Sequence, residues 1–228
     1  MGRLPRTRAK PSNGSLSKVV TLSREQFPGC LDDWTDADQL FCEGHVSFLK
    51  TPCVSVIGTR MVSDVGFRRA SAVTRLLAKS GYCIVSGLAA GVDSVAHDVA
   101  LTCGGKTIAV LGTPLDRIYP ANNVELRRAI EVRGLVISQF PNGTKTFKSN
   151  FPKRNRLMAA LCHLTVVIEA SEMSGTRHQV KTALELGRSV ALPVSLAESG
   201  YPWVIEALNS GRTHVLRELS DLSSFLGG

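Results

Sequence analysis

The sequence predicts a doubly wound α/β protein built on a mainly parallel sheet. Three observations point there. Short apolar runs alternate with segments of helical spacing from Pro52 to about Ser210. Val, Ile, Leu and Ala dominate while aromatics make up only 6% of the chain, which suits strands buried on both faces better than a β-sandwich. Several strand ends carry glycine or a small hydroxyl residue, the punctuation of strand-to-helix turns. The 228 residues suffice for one large domain with a sizeable core.

Taken in order, residues 1–18 carry Arg3, Arg6, Arg8, Lys10 and Lys18 without an acid and read as a basic flexible arm. Residues 19–50, acidic around Asp32, Asp33, Asp36 and Asp38, read as a short lead-in packed on the core. The core is expected over residues 51–218. Cys53–Ile57 is its first strand and ends at Gly58. Helical spacing over Val65–Lys79 stops at Gly81. Cys83–Val85 is the second strand, closed by Ser86-Gly87, and the helix over Ser94–Cys103 breaks at Gly104-Gly105. Thr107–Leu111 is the third strand, followed by a helix over Asn123–Arg133 that stops at Gly134. Leu135–Ser138 is the fourth strand. A loop leads to a helix around Arg154–Leu161 and a fifth strand at Thr165–Ala170. A helix over Thr176–Leu186 stops at Gly187, Ser189–Pro193 is the sixth strand, and Tyr201–Ser210 the last helix. Residues 219–228 read as a C-terminal tail. Parallel strands with right-handed crossovers follow from this alternation.

The six cysteines show no CxxC spacing and read as free thiols in a reducing cytosol. The basic N-terminus lacks the apolar stretch of a secretory signal, and no apolar run reaches the roughly 18 residues of a membrane span. A cytoplasmic protein with no membrane contact is expected. Lys and Arg exceed Asp and Glu by 27 to 19, a net charge of +8 that points to an anionic partner. The excess is uneven: residues 141–160 hold Lys145, Lys148, Lys153, Arg154 and Arg156 with no acid.

In such sheets ligands bind outside the carboxyl ends of the strands. Here those ends carry Gly58-Thr59-Arg60, Ser86-Gly87-Leu88-Ala89-Ala90-Gly91-Val92-Asp93, Gly112-Thr113-Pro114 and Ser171-Glu172-Met173-Ser174-Gly175-Thr176, with Arg177 next in the helix after the last. Glycine lets a phosphate approach the backbone, hydroxyls add donors, and Arg60 can fork onto a phosphate. One such turn is ordinary; four at one rim point to anion binding. Lys148, Asn150, Phe151, Arg154, Asn155 and Arg156 open one helix, where cations interleaved with an aromatic are a way to hold a single strand without reading its sequence. Phe151 alone reads equally as core or as a stacking platform. Asp93 and His97, at i and i+4, share a helix face and read as structural or capping groups of the rim. No GxGxxG follows the first strand, and Gly105-Lys106-Thr107 precedes a strand where a P-loop follows one. No nucleophile, base and acid can be assigned together. No catalytic residue, metal or cofactor is expected.

The ordered motifs, Val56-Ile57-Gly58-Thr59-Arg60, Val85 through Asp93 with Ala96-His97, Leu115-Asp116 with Tyr119-Pro120, Asn150 through Arg156, and Ser174-Gly175-Thr176 with Ala183-Leu184-Glu185, resemble the bacterial DNA-processing protein A family (DprA, or Smf) over about residues 28 to 212. The resemblance implies an extended Rossmann-like fold, a homodimer, and a non-enzymatic protein that binds single-stranded DNA and delivers it to the RecA recombinase in DNA uptake. It also implies that Arg60 and Asn150–Arg156 hold DNA phosphates. The chain departs from the family at Gln139 and at Arg177-His178, and it reads as a core without accessory helical or winged-helix domains. Two other readings belong to the same rim. One is a sensor of small nucleotides. The other is a phosphoribohydrolase of the cytokinin-activating type, whose Glu position holds Gln179, an amide that cannot act as general acid or base.

Overall fold

The computed structural model describes residues 18–226. Most of the basic arm, and the last two residues of the tail, lie outside the described residues. In chain order the elements are β1 Val20–Ser23, β2 Gln39–Gly44, β3 Cys53–Ile57, α1 Asp64–Lys79, β4 Cys83–Ser86, α2 Val92–Thr102, β5 Thr107–Leu111, α3 Val124–Arg133, β6 Leu135–Ser138, α4 Asn150–Leu161, β7 Leu164–Val167, α5 Thr176–Glu185, β8 Ser189–Pro193, α6 Val194–Ala197, α7 Pro202–Asn209, β9 Thr213–Leu216 and α8 Asp221–Leu226.

The strands form one sheet of nine in the order β1-β2-β6-β5-β4-β3-β7-β8-β9. From β6 to β9 every neighbouring pair is parallel. β3, β4, β5, β6 and β7 are buried along their whole length, as their unbroken apolar runs require. One face is covered by α1 and α2, which press Ala70, Val73, Leu77, Ala96 and Ala100 onto Val54, Val56 and Ile84. α3 continues this layer with Ile130. The opposite face packs Leu157, Met158, Val180, Ala183, Val204 and Ala207 of α4, α5 and α7.

Three expectations change. The lead-in supplies two strands to the sheet instead of packing on it: β1 runs antiparallel to β2, and β2 antiparallel to β6 with Cys42 opposite Ile137. Arg127 of α3, 4% exposed, locks this edge by bonding Glu43 of β2 at 3.0 Å and Glu131 at 2.6 Å. A seventh parallel strand, β9, follows the last predicted helix. The tail forms α8 and buries Leu222 completely. All six cysteines are free thiols, four of them buried.

The chain steps outward from β3 through β4 and β5 to β6, then returns beneath the sheet through α4 to place β7 on the other side of β3. The strand order therefore reverses between β3 and β7, and their carboxyl ends diverge to leave a crevice.

Candidate nucleic-acid interface

A cavity of about 460 Å³ occupies that crevice. Ile57, Gly58, Thr59 and Arg60 extend from β3 along one side. Phe151, Pro152, Arg154, Asn155 and Met158 of α4 form a second wall, and Ser171, Ser174, Gly175, Thr176, His178 and Gln179 a third, with Ala89 and Asp93 also lining the cavity. A smaller cavity of about 180 Å³ lies beside it, lined by Gly87, Ala90, Gly112, Thr113 and Tyr119, and shares Arg60, Phe151 and Arg154 with the first. Phe151 is half-buried between the two. Its ring packs 5.5 Å from that of Tyr119, and a Cβ on Gly112 would come within 2.7 Å of it.

The loop from Ser86 to Gly91 is held before any ligand arrives. The Asp93 carboxylate accepts from the amides of Gly87 at 3.1 Å and Ala89 at 3.3 Å. Those amides, expected to meet a phosphate, already hold an anion of the chain's own. Leu88 sits in the left-handed region at φ +54°, an uncommon place for a side chain this large. Asn123 secures it by donating to the Leu88 carbonyl at 2.9 Å. The Ser86 hydroxyl is spent on the Val56 carbonyl at 2.7 Å. Gly91 lies so close under the Thr59 and Arg60 backbone that no side chain fits there. Gly87 and Gly91 of this loop thus serve packing first, whereas Gly175 opposite has open space beside it.

The structure divides the predicted site residues into groups. Gly58, Thr59, Arg60, Phe151, Arg154, Asn155, Ser174, Gly175 and Thr176 meet around the larger cavity together with Asp93. Gly87 and Ala90 line the smaller one. Arg60 is exposed at both mouths, and no ion pair involves it among the described residues. Lys148 is exposed just before α4 and lines neither cavity, and Asn150 is buried at 6%.

Four expectations need correction. Arg154 is turned inward and is 7% exposed. It donates to the carbonyls of Gly87 at 2.5 Å and Val110 at 2.7 Å, and to Asn155 Oδ1 at 2.9 Å. Burial lowers its pKa, Asp93 opposes that shift, and the nearby charge of Arg60 adds to it. Arg156 points toward the lead-in, where its Nε lies 3.3 Å from Asp36. Arg177 donates to the Met173 thioether Sδ at 3.7 Å and lines a groove against α7 rather than the crevice. His97 is fully buried, off the rim, with Nδ1 2.7 Å from the Thr107 hydroxyl. Burial, with a smaller push from Arg154, holds its pKa down to about 3. Asp93, in contrast, is raised by burial, against the pull of Arg154 and the two loop amides.

Sequence reasoning did not place Gln179 in the cavity. It is 2% exposed on α5, and neither amide atom has a hydrogen-bond partner among the described residues. Its position four residues after Gly175, one turn into the helix that faces the crevice, was the available signal.

A crevice at a strand-order reversal, with the exposed Arg60 at its mouth, defines a Rossmann-like protein with its cleft where such sheets carry their sites. Comparison with known proteins narrows this. The family model described as DNA recombination-mediator protein A matches residues 18–226, and the chain belongs to that family. Protein Smf of Synechocystis sp. is 41% identical over 174 residues, covering 76% of this chain and 44% of that protein. DNA processing protein DprA of Streptococcus pneumoniae is 39% identical over 194 residues, covering 84% of this chain and 66% of that protein. The chain thus spans about half to two thirds of these relatives. The X-ray structure of the S. pneumoniae protein superposes with a TM-score of 0.82 at 34% identity, over 92% of this chain and 75% of that one. DNA processing protein A from Helicobacter pylori, whose structure concerns its single-stranded DNA binding mode, gives 0.81 at 29% identity, over 92% of this chain and 96% of that one. Among the described residues no helix is long and apolar enough to cross a membrane.

Proposed function

We propose that this chain binds single-stranded DNA across the crevice between β3 and β7 and acts as a non-enzymatic mediator. Strand phosphates meet the exposed cations Arg60, Lys148 and Lys153, while Phe151 stands beside the path of the bases. The observation that carries the reading is Arg60: an exposed arginine with no ion pair among the described residues, at the mouths of both cavities. Family membership and the +8 net charge agree with it. A binding role rather than catalysis is supported by Gln179, an amide that transfers no proton, on the helix that follows Gly175. Delivery of the strand to a RecA-type recombinase, by a homodimer in the cytoplasm, is the physiological setting that family membership suggests.

The test is fluorescence anisotropy with a labelled oligonucleotide titrated across salt concentrations. Arg60→Ala is expected to weaken binding uniformly across sequences and to reduce the salt slope by about one. No retention of single-stranded DNA at low salt, or an unchanged slope in Arg60→Ala, would overturn the reading.

A further inference from the structure

We infer that Gln179 reads a nucleobase seated in the larger cavity and favours an amino-bearing base, adenine, over thymine. This rests on the single-strand reading above and adds a specificity-determining residue to it. A carboxamide buried to 2% exposure with neither atom bonded among the described residues is costly to keep. Its partner is then expected from outside the chain, and Gln179 lines a cavity that such a partner can enter.

The chemistry of the cavity fits a base better than a phosphate. Ile57, Pro152 and Met158 supply apolar wall. The Gly87 and Ala89 amides are already taken by Asp93, and Arg154 is committed to backbone carbonyls. Asn155, Ser171 and His178 also line the cavity, but the carboxamide is the deeply buried group there with neither atom bonded among the described residues, a donor and an acceptor side by side. Adenine offers an amino group beside a ring nitrogen, and Gln takes both at once. The N3–H and O4 of thymine can pair with the carboxamide too, so Gln179 fixes the edge of the base and the choice between the two falls to what that edge turns toward Asp93. Asp93 lines the same cavity and, when ionised, only accepts. A second amino hydrogen suits it, whereas thymine turns only carbonyl oxygens and one N–H toward the same groups. Phosphates stay at the mouth with Arg60, so affinity and base choice have separate residues.

The experiment compares a thymine-only oligonucleotide with the same strand carrying spaced adenines, on the wild type and Gln179→Leu. The wild type is expected to bind the adenine-bearing strand about tenfold tighter. Gln179→Leu is expected to bind both strands alike with an unchanged salt slope. Leucine replaces an unpartnered amide with an apolar group of similar size, so folding is retained, and a thermal melt checks it. Equal wild-type affinity for the two strands, or a preference that survives in Gln179→Leu, overturns the inference and leaves strand binding intact. Free deoxyadenosine and thymidine monophosphates form the second arm. If the wild type retains no strand yet takes the adenine nucleotide through Gln179, base reading holds and the strand reading falls. If it takes neither strand nor nucleotide, both fall.

Discussion

Arg154→Ala looks like a DNA-contact mutation from the sequence, but the structure predicts a folding defect. The guanidinium donates to two buried carbonyls, those of Gly87 and Val110, and its loss leaves both without this partner. Each such orphan costs about 1–3 kcal/mol, so the variant should lose about 2–6 kcal/mol. Melting temperature should fall by roughly 5–20 °C for a protein of this size. The loss should also depend on pH. Asp93 already has a raised pKa through burial, and Arg154 is the main influence pulling it back. Without Arg154 it rises further. An acid whose pKa is higher folded than unfolded lowers stability as pH climbs from the unfolded value through the folded one. The deficit should therefore be largest near neutral pH and narrow in acid, where Asp93 is protonated in both states. Urea denaturation of wild type and variant across this range measures it, and adding Asp93→Asn should recover part of the neutral-pH loss. A variant with the wild-type urea midpoint at neutral pH but no affinity for single-stranded DNA would refute the reasoning and make Arg154 a direct contact.

Two further outcomes follow from the same geometry. Arg156→Ala breaks only a partly exposed pair with Asp36, so it should cost about 0–1 kcal/mol and leave single-strand affinity within about twofold, as titration of the purified variant will show. His97, with a folded pKa of about 3, binds its proton more readily unfolded. Its contribution is present above about pH 6.5 and is lost as pH falls through the window down to about 3, so His97→Gln should flatten the acid limb of stability measured by urea midpoints.

The inner strands were legible because a strand buried on both faces leaves a continuous apolar run, as in Cys53–Ile57 and Thr107–Leu111. The outer strands were not. β1 buries only Leu22, β2 alternates between exposed and buried positions, and β9 is half-exposed throughout, so none breaks from its polar surroundings. The tail was misread because a single buried residue, Leu222, fixes α8. At the site, residues that the sequence puts at the strand ends do meet around the crevice, but the sequence could not assign directions. Arg154 and Arg156 lie two residues apart on α4, nearly opposite around the helix, and only packing shows that one enters the core while the other meets Asp36. In the sequence Gln179 shows only as an amide where an acid would be; that it is buried with no partner among the described residues needs coordinates to appear.

The pairing of β3 with β7, Val54 beside Leu164, has a consequence for biosynthesis. Ser63, at the start of α1, donates from its amide to Glu169, 106 positions further along the chain. A nascent chain that has emerged only through β6 can already form the glycine turns, but the opposite wall of the crevice has not yet been translated. Such distant pairings form slowly, because the loop must close before any contact rewards it. On the proposed single-strand reading, affinity should therefore appear only after β7 and α5 have been made, and a fragment ending at β6 should lack it.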